Sequence, residues 1–167
     1  MNARAYNVMF LCTGNSARSI LAEAILNREG AGRFRTFSAG SFPKGQVHPM
    51  ALEVLSELGF PTAGYRSKSW DEFAAPEAPE LDFIFTVCDN AAGEVCPVWP
   101  GKPVTAHWGI EDPVAVEGDR QAAAFWTAYQ SLQRRIGLFL ALPLEGIDEM
   151  TLANRLRVIG KSEASVD

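Results

Sequence analysis

Apolar residues recur along this chain in two patterns, short continuous runs and helically spaced stripes. Residues 6–11, YNVMFL, form a run compatible with a strand buried on both faces, and IFTV within 82–87 forms a second. Residues 34–39 and the segment PVTAH at 103–107 supply two weaker strand candidates. Between these runs the period changes. Ile20, Leu21, Ile25 and Leu26 follow helical spacing between Ser16 and Asn27, with Gly30 and Gly32 just past the end. Val47, Leu52, Leu55 and Leu58 share much of one face over 47–58, before Gly59. Phe125, Tyr129, Leu132, Ile136 and Phe139 step by 4, 3, 4 and 3, a long amphipathic helix whose stripe serves core packing. Leu152, Leu156 and Ile159 mark a last short helix over 147–159.

Strand and helix in alternation, with no hairpin signal of the Asn-Gly type, predict a parallel sheet covered by helices on both faces, a doubly wound α/β domain. Segments 40–46, 61–80 and 96–118, rich in Gly and Pro, read as surface loops. No internal repeat or low-complexity tract interrupts the pattern. The chain of 167 residues is expected to form one domain over 1–167, with about 160–167 a loose terminus.

Composition narrows the function. A net charge of -5 argues against a general nucleic-acid surface, so any anion site must be local. The first residues carry no cleavable signal pattern and no apolar stretch reaches membrane-spanning length, which predicts a cytoplasmic chain without membrane contact. In such a reducing compartment, three cysteines are more often catalytic, redox-active or metal-binding than structural. Cys12, Cys88 and Cys96 with His48 and His107 do not fall in paired ligand spacing, so no metal site is expected. His48 reads as a structural or capping residue near a helix start, and His107 and Trp108 as residues that shape the following loop.

The stretch FLCTGNSARS, residues 10–19, concentrates the chemistry. Cys12 stands at the carboxyl end of the first strand, where open parallel sheets bind ligands. Thr13, Gly14, Asn15, Ser16 and Ala17 are small enough to curl, so that their N–H groups converge on an anion at the next helix N-terminus. Arg18 adds a planar guanidinium suited to phosphate-like oxyanions. The same field is expected to lower the Cys12 pKa and make the thiolate nucleophilic, with Ser19 donating to it.

CTGNSARS resembles the phosphate-binding loop of low-molecular-weight protein tyrosine phosphatases and of the arsenate reductases built on the same fold. FSAGS, HP, RSKSWDEF, TVCDNAAGEVCP and HWGIEDP extend the likeness over nearly the whole chain and are closer to the arsenate reductase branch. The resemblance implies a flavodoxin-like three-layer sandwich with a four-stranded parallel sheet flanked by helices. It implies that Asp112, in EDPV, is the general acid for the leaving oxygen, with Pro113 stiffening the turn. Val114 follows where phosphatases commonly carry a tyrosine, which weakens a phosphotyrosine reading.

The resemblance further implies a thiol relay for arsenic detoxification. Cys12 attacks arsenate, Cys88 attacks the Cys12 sulfur and arsenite leaves. Cys96 then resolves the Cys12–Cys88 disulfide, leaving a Cys88–Cys96 disulfide for an external reductant. Thioredoxin is the expected reductant, with glutathione and glutaredoxin the alternative, and no bound cofactor is expected in a monomeric enzyme. Some thioredoxin-linked members bind potassium near the positions of Asn15, Glu23 and Ser38. Here Lys68 occupies the place of an acid ligand, and no potassium site is expected. The alternatives are a low-molecular-weight phosphatase acting on phosphotyrosine or small phosphate monoesters, and a non-catalytic oxyanion-binding or redox-sensing module.

Overall fold

The computed structural model describes residues 5–75, 77–88 and 103–161. Four strands, β1 (Tyr6–Leu11), β2 (Phe34–Ala39), β3 (Phe83–Thr86) and β4 (Val104–His107), pair in parallel in the order β2-β1-β3-β4. The helices are α1 (Arg18–Glu29), α2 (Pro49–Glu57), α3 (Gln121–Leu140) and α4 (Glu149–Gly160). Central β1 is buried from Val8 to Leu11, as its uninterrupted apolar run requires.

Side-chain alternation along the strands divides the interior into two layers. Val8, Phe10, Phe83 and Phe85 face the large core, which takes in the buried residues of all four α-helices. Met9, Leu11 and Ile84 face the other way, with Phe73 and Leu81 against them. Among the described residues that second face is covered by a 3-10 turn, Trp70–Phe73, rather than by a full helix. The turn lies inside the segment expected to be loop, and an isolated bridge from Gly40 to Ser69 docks it beside β2. Helix α2 begins two residues later than the apolar spacing suggests, because His48 stops it: the His48 ring nitrogen accepts from the Met50 N–H at 3.0 Å, and Pro49 takes the first helical position.

The strand order explains where ligands are received. From β1 the chain passes first to β2 on one side and later to β3 on the other, so the carboxyl end of β1 is the point where the winding reverses. Leu11 pairs with Thr86 and Thr86 with His107, which sets the residues just beyond these three strands side by side. Trp108, fully buried after β4, stacks on Phe85 at 3.9 Å and donates its indole N–H to the Leu156 carbonyl at 2.9 Å. That anchor fixes the start of the loop carrying Asp112.

Candidate active site

A cavity of about 180 Å³ opens beyond the end of β1, lined by Cys12 to Arg18, Phe42, Lys44, Cys88, Asp112 and Val114. The sequence-predicted residues from Cys12 to Arg18, Cys88 and Asp112 therefore meet in one place. Cys96 lies outside the described residues. Cys12 is 6% exposed and Cys88 3%. Helix α1 has no side-chain cap at Ala17, which leaves first-turn N–H groups for an anion.

The loop keeps its curl through Asn15, whose φ of 45° places it in the left-handed region that asparagine tolerates. Asn15 is fully buried, and its side-chain amide donates to Ser19 Oγ at 2.8 Å and Ser38 Oγ at 3.0 Å. Its carbonyl oxygen accepts from the Lys68 backbone N–H at 2.8 Å. Ser19, expected to donate to the thiolate, also accepts the Asn15 amide on its Oγ and so braces the loop. Gly40, of FSAGS, backs the loop so closely that a Cβ there would overlap the carbonyl oxygens of Thr13 and Cys12.

Ser38 donates to Glu23 Oε1 at 2.6 Å, and the Lys68 ammonium, 3.5 Å from Ser38 Oγ, donates to the Arg66 carbonyl at 2.8 Å. Burial pushes the Glu23 carboxyl up and the Lys68 ammonium down, while each charge favours the other's ionised form. The residues present do not fit a monovalent cation: Asn15 Oδ1 is already bound, and a cationic side chain stands at the cluster. Among the described residues no group of three or more His, Cys, Asp or Glu side chains could hold a metal.

A carboxyl raised by folding stabilises most below its unfolded pKa, near 4.3, and that contribution is lost as pH rises through the folded value. Urea midpoints of wild type and Glu23→Gln, measured from about pH 4 to 7, are therefore expected to diverge, with wild type losing ground to the variant as pH rises. A constant difference would show that Glu23 titrates as it does in the unfolded chain.

Arg18 does not close over the cavity alone. Its Nη1 donates to the Ile110 carbonyl at 2.8 Å and its Nη2 lies 3.6 Å from Asp112 Oδ2. Asp112, half exposed, caps the 3-10 turn Pro113–Ala115 by accepting the Val114 N–H at 3.0 Å. Phe42 and Lys44 at the mouth had no signal in the sequence pattern. They arrive because the Phe42 N–H donates to Thr13 O and the Lys44 N–H to Gly14 O, each at 3.0 Å, which straps segment 40–45 along the loop.

The two thiols are coupled. The Thr13 N–H donates to Cys88 Sγ at 3.3 Å, and Thr13 Oγ1 lies 3.6 Å from it. Hydrogen bonding with Cys88 and burial push the Cys12 thiol up, while Arg18 pulls it down. Burial and the Cys88 neighbour thus oppose the expected lowering, which Arg18 favours. Residue spacing did not place that neighbouring sulfur.

A buried thiol, a loop of backbone donors, an arginine and a rim aspartate thus surround one cavity at the switch point of an α/β domain. The chain belongs to the low molecular weight phosphotyrosine protein phosphatase family, whose model matches residues 7–149. It is 32% identical over 130 residues to an arsenate reductase of Halalkalibacterium halodurans, covering 78% of this chain and 88% of that one. Among solved structures it resembles a thioredoxin-dependent arsenate reductase of Corynebacterium glutamicum, with 25% identity and a TM-score of 0.60. That match covers 87% of this chain, which spans 65% of the other's length. An arsenate reductase in a phosphate-binding state matches with 26% identity and a TM-score of 0.64, over 81% of this chain and 97% of that one. No helix among the described residues is long and apolar enough to cross a membrane.

Proposed function

We propose that this chain reduces arsenate to arsenite by a thiol relay, acting as a monomeric single-domain enzyme of the cytoplasm with thioredoxin as its reductant. The observation that carries the reading is the second thiol, Cys88, which lines the same cavity as Cys12 and is held there by the Thr13 N–H. Ester hydrolysis uses one sulfur; reduction of As(V) requires two electrons, which a pair of thiols supplies.

The chemistry balances without another reactant. The Cys12 thiol and HAsO₄²⁻ condense, forming an S–As bond and releasing water, with Asp112 protonating the departing oxygen. Backbone N–H groups from Gly14 to Ser19 and the Arg18 guanidinium hold the remaining oxygens. Cys88 then attacks Cys12, the S–S bond forms, and the electrons of the S–As bond pass to arsenic. Arsenite leaves as As(III). Thr13 supports this step by holding Cys88 in place, its N–H donating to Cys88 Sγ at 3.3 Å. Cys96 would take over the disulfide and present it to thioredoxin.

The test is arsenite formation from arsenate with thioredoxin, thioredoxin reductase and NADPH, run beside a glutathione and glutaredoxin assay and an aryl phosphate assay. One NADPH oxidised per arsenite with the thioredoxin system is the expected result. Hydrolysis of the aryl phosphate with no arsenate reduction by either system would instead establish a phosphatase. Val114 at the cavity rim, in place of an aromatic residue, favours the first outcome.

A further inference from the structure

The loop from Trp108 to Asp112 is gripped by two arginines from different helices. Arg135, within α3, is 8% exposed, and its Nη1 donates to the carbonyls of Trp108 at 2.8 Å and Gly109 at 3.0 Å. Arg18, at the start of α1, takes the next carbonyl, that of Ile110, at 2.8 Å and faces Asp112. Three consecutive carbonyls of one loop are therefore bound by two guanidinium groups. The Trp108 N–H, donating to Thr86 O at 2.6 Å, and the Ile110 N–H, donating to Val87 O at 3.2 Å, fix the same segment to the end of β3.

Arg135 interrupts an apolar stripe. Leu132, Ile136 and Phe139 around it are fully buried, and an apolar side chain would continue their packing at no cost in desolvated charge. What the guanidinium adds is direction. The backbone carbonyls one and two positions before Ile110 are fixed relative to α3, a long helix that also packs on the turn Pro113–Ala115 which Asp112 caps. Arg135 does not line the oxyanion cavity; it lines the groove behind the Asp112 loop with Thr127 and Ser131.

We propose that Arg135 is a positioning residue for Asp112: by holding the carbonyls of Trp108 and Gly109 it sets where the acid stands over the bound oxyanion. It acts through Asp112 and not on the oxyanion itself. The proposal rests on the reading of Asp112 as the general acid.

A double-mutant cycle separates this role from packing. Steady-state arsenate reduction is measured for wild type, Arg135→Gln, Asp112→Asn and the double variant. A general acid contributes on the order of 100-fold or more, so Asp112→Asn is expected to lose about that in kcat. Arg135→Gln is expected to lose about tenfold in kcat, with KM for arsenate changed less than about threefold. The double variant falls no further than Asp112→Asn alone, within about threefold, because an acid already removed cannot be misplaced. Arg135→Lys, which keeps a donor, recovers part of the loss. It also carries the cycle should Arg135→Gln fail to show a phosphate-dependent rise in melting temperature.

Multiplying losses, about 1000-fold in the double variant, would overturn the proposal, as would a KM effect with kcat unchanged. Wild type that makes no arsenite overturns the functional reading instead. The same cycle is then read on hydrolysis of phenyl phosphate, whose leaving group needs a proton. Failure of wild type on both substrates overturns both.

Discussion

Replacing Cys12 by serine is expected to abolish arsenate reduction, with a loss of at least about 10⁴-fold, while inorganic phosphate still binds within about tenfold of wild type. The two expectations come from different parts of the site. The S–As bond and the disulfide both require sulfur at this position, and no other described group stands where the Cys12 thiol does. The oxyanion donors are the loop N–H groups and Arg18, which the substitution leaves in place. Arsenite release and phosphate calorimetry on the same preparation check the pair of outcomes. Retention of full biological activity by Cys12→Ser would return the chain to the class of oxyanion-binding modules, since binding needs no nucleophile.

Removal of the second thiol has the next largest effect. Without any external reductant, wild type is expected to release about one arsenite per chain from Cys12 and Cys88, and Cys88→Ser none. The S–As adduct on Cys12 then has no sulfur beside it to take up the bond. The neighbour also governs the ionisation of Cys12. Because hydrogen bonding with Cys88 is the largest influence raising the Cys12 thiol, Cys88→Ala is expected to shift it downward, leaving burial opposed by Arg18. Iodoacetamide alkylation followed against pH should move to lower pH in this variant. An unchanged profile would mean that the two sulfurs do not interact in solution, and the direct transfer between them would fall with it.

The sequence patterns located the strands because parallel strands buried on both faces must be apolar without interruption, and β1 and β3 are. They located the long helix because Phe125, Tyr129, Leu132, Ile136 and Phe139 all turn inward on one stripe. The weaker elements slipped where local capping outranked periodicity. Val47 is buried, but it lies before α2 because His48 caps the helix and Pro49 opens it. The turn Trp70–Phe73 carries no periodicity, being one turn long, yet it covers Met9, Leu11 and Ile84.

For the site, the sequence by itself determined the loop proposed to hold the oxyanion. Small residues, an uncapped helix start and Arg18 are local features, adjacent in the chain and therefore legible along it. Only the tertiary structure decided what surrounds that loop. Cys88 is 76 residues from Cys12, and the register of β1 against β3 is what brings its sulfur to the Thr13 N–H. The same placement puts Cys88 where it opposes the lowering of the Cys12 thiol that Arg18 favours. Lys68 was legible as a departure in the chain, but its backbone N–H on Asn15 and its ammonium near Ser38 depend on the docking of segment 66–69 beside β2. Arg135 had no signal at all, since a helical pattern shows a polar residue on a buried face only as an irregularity. Its meaning comes from the carbonyls it meets, which belong to a loop 26 and 27 residues away. Local chemistry is written in neighbouring residues, whereas charge pairing and thiol coupling act through distances that only the packed sheet and its helices set.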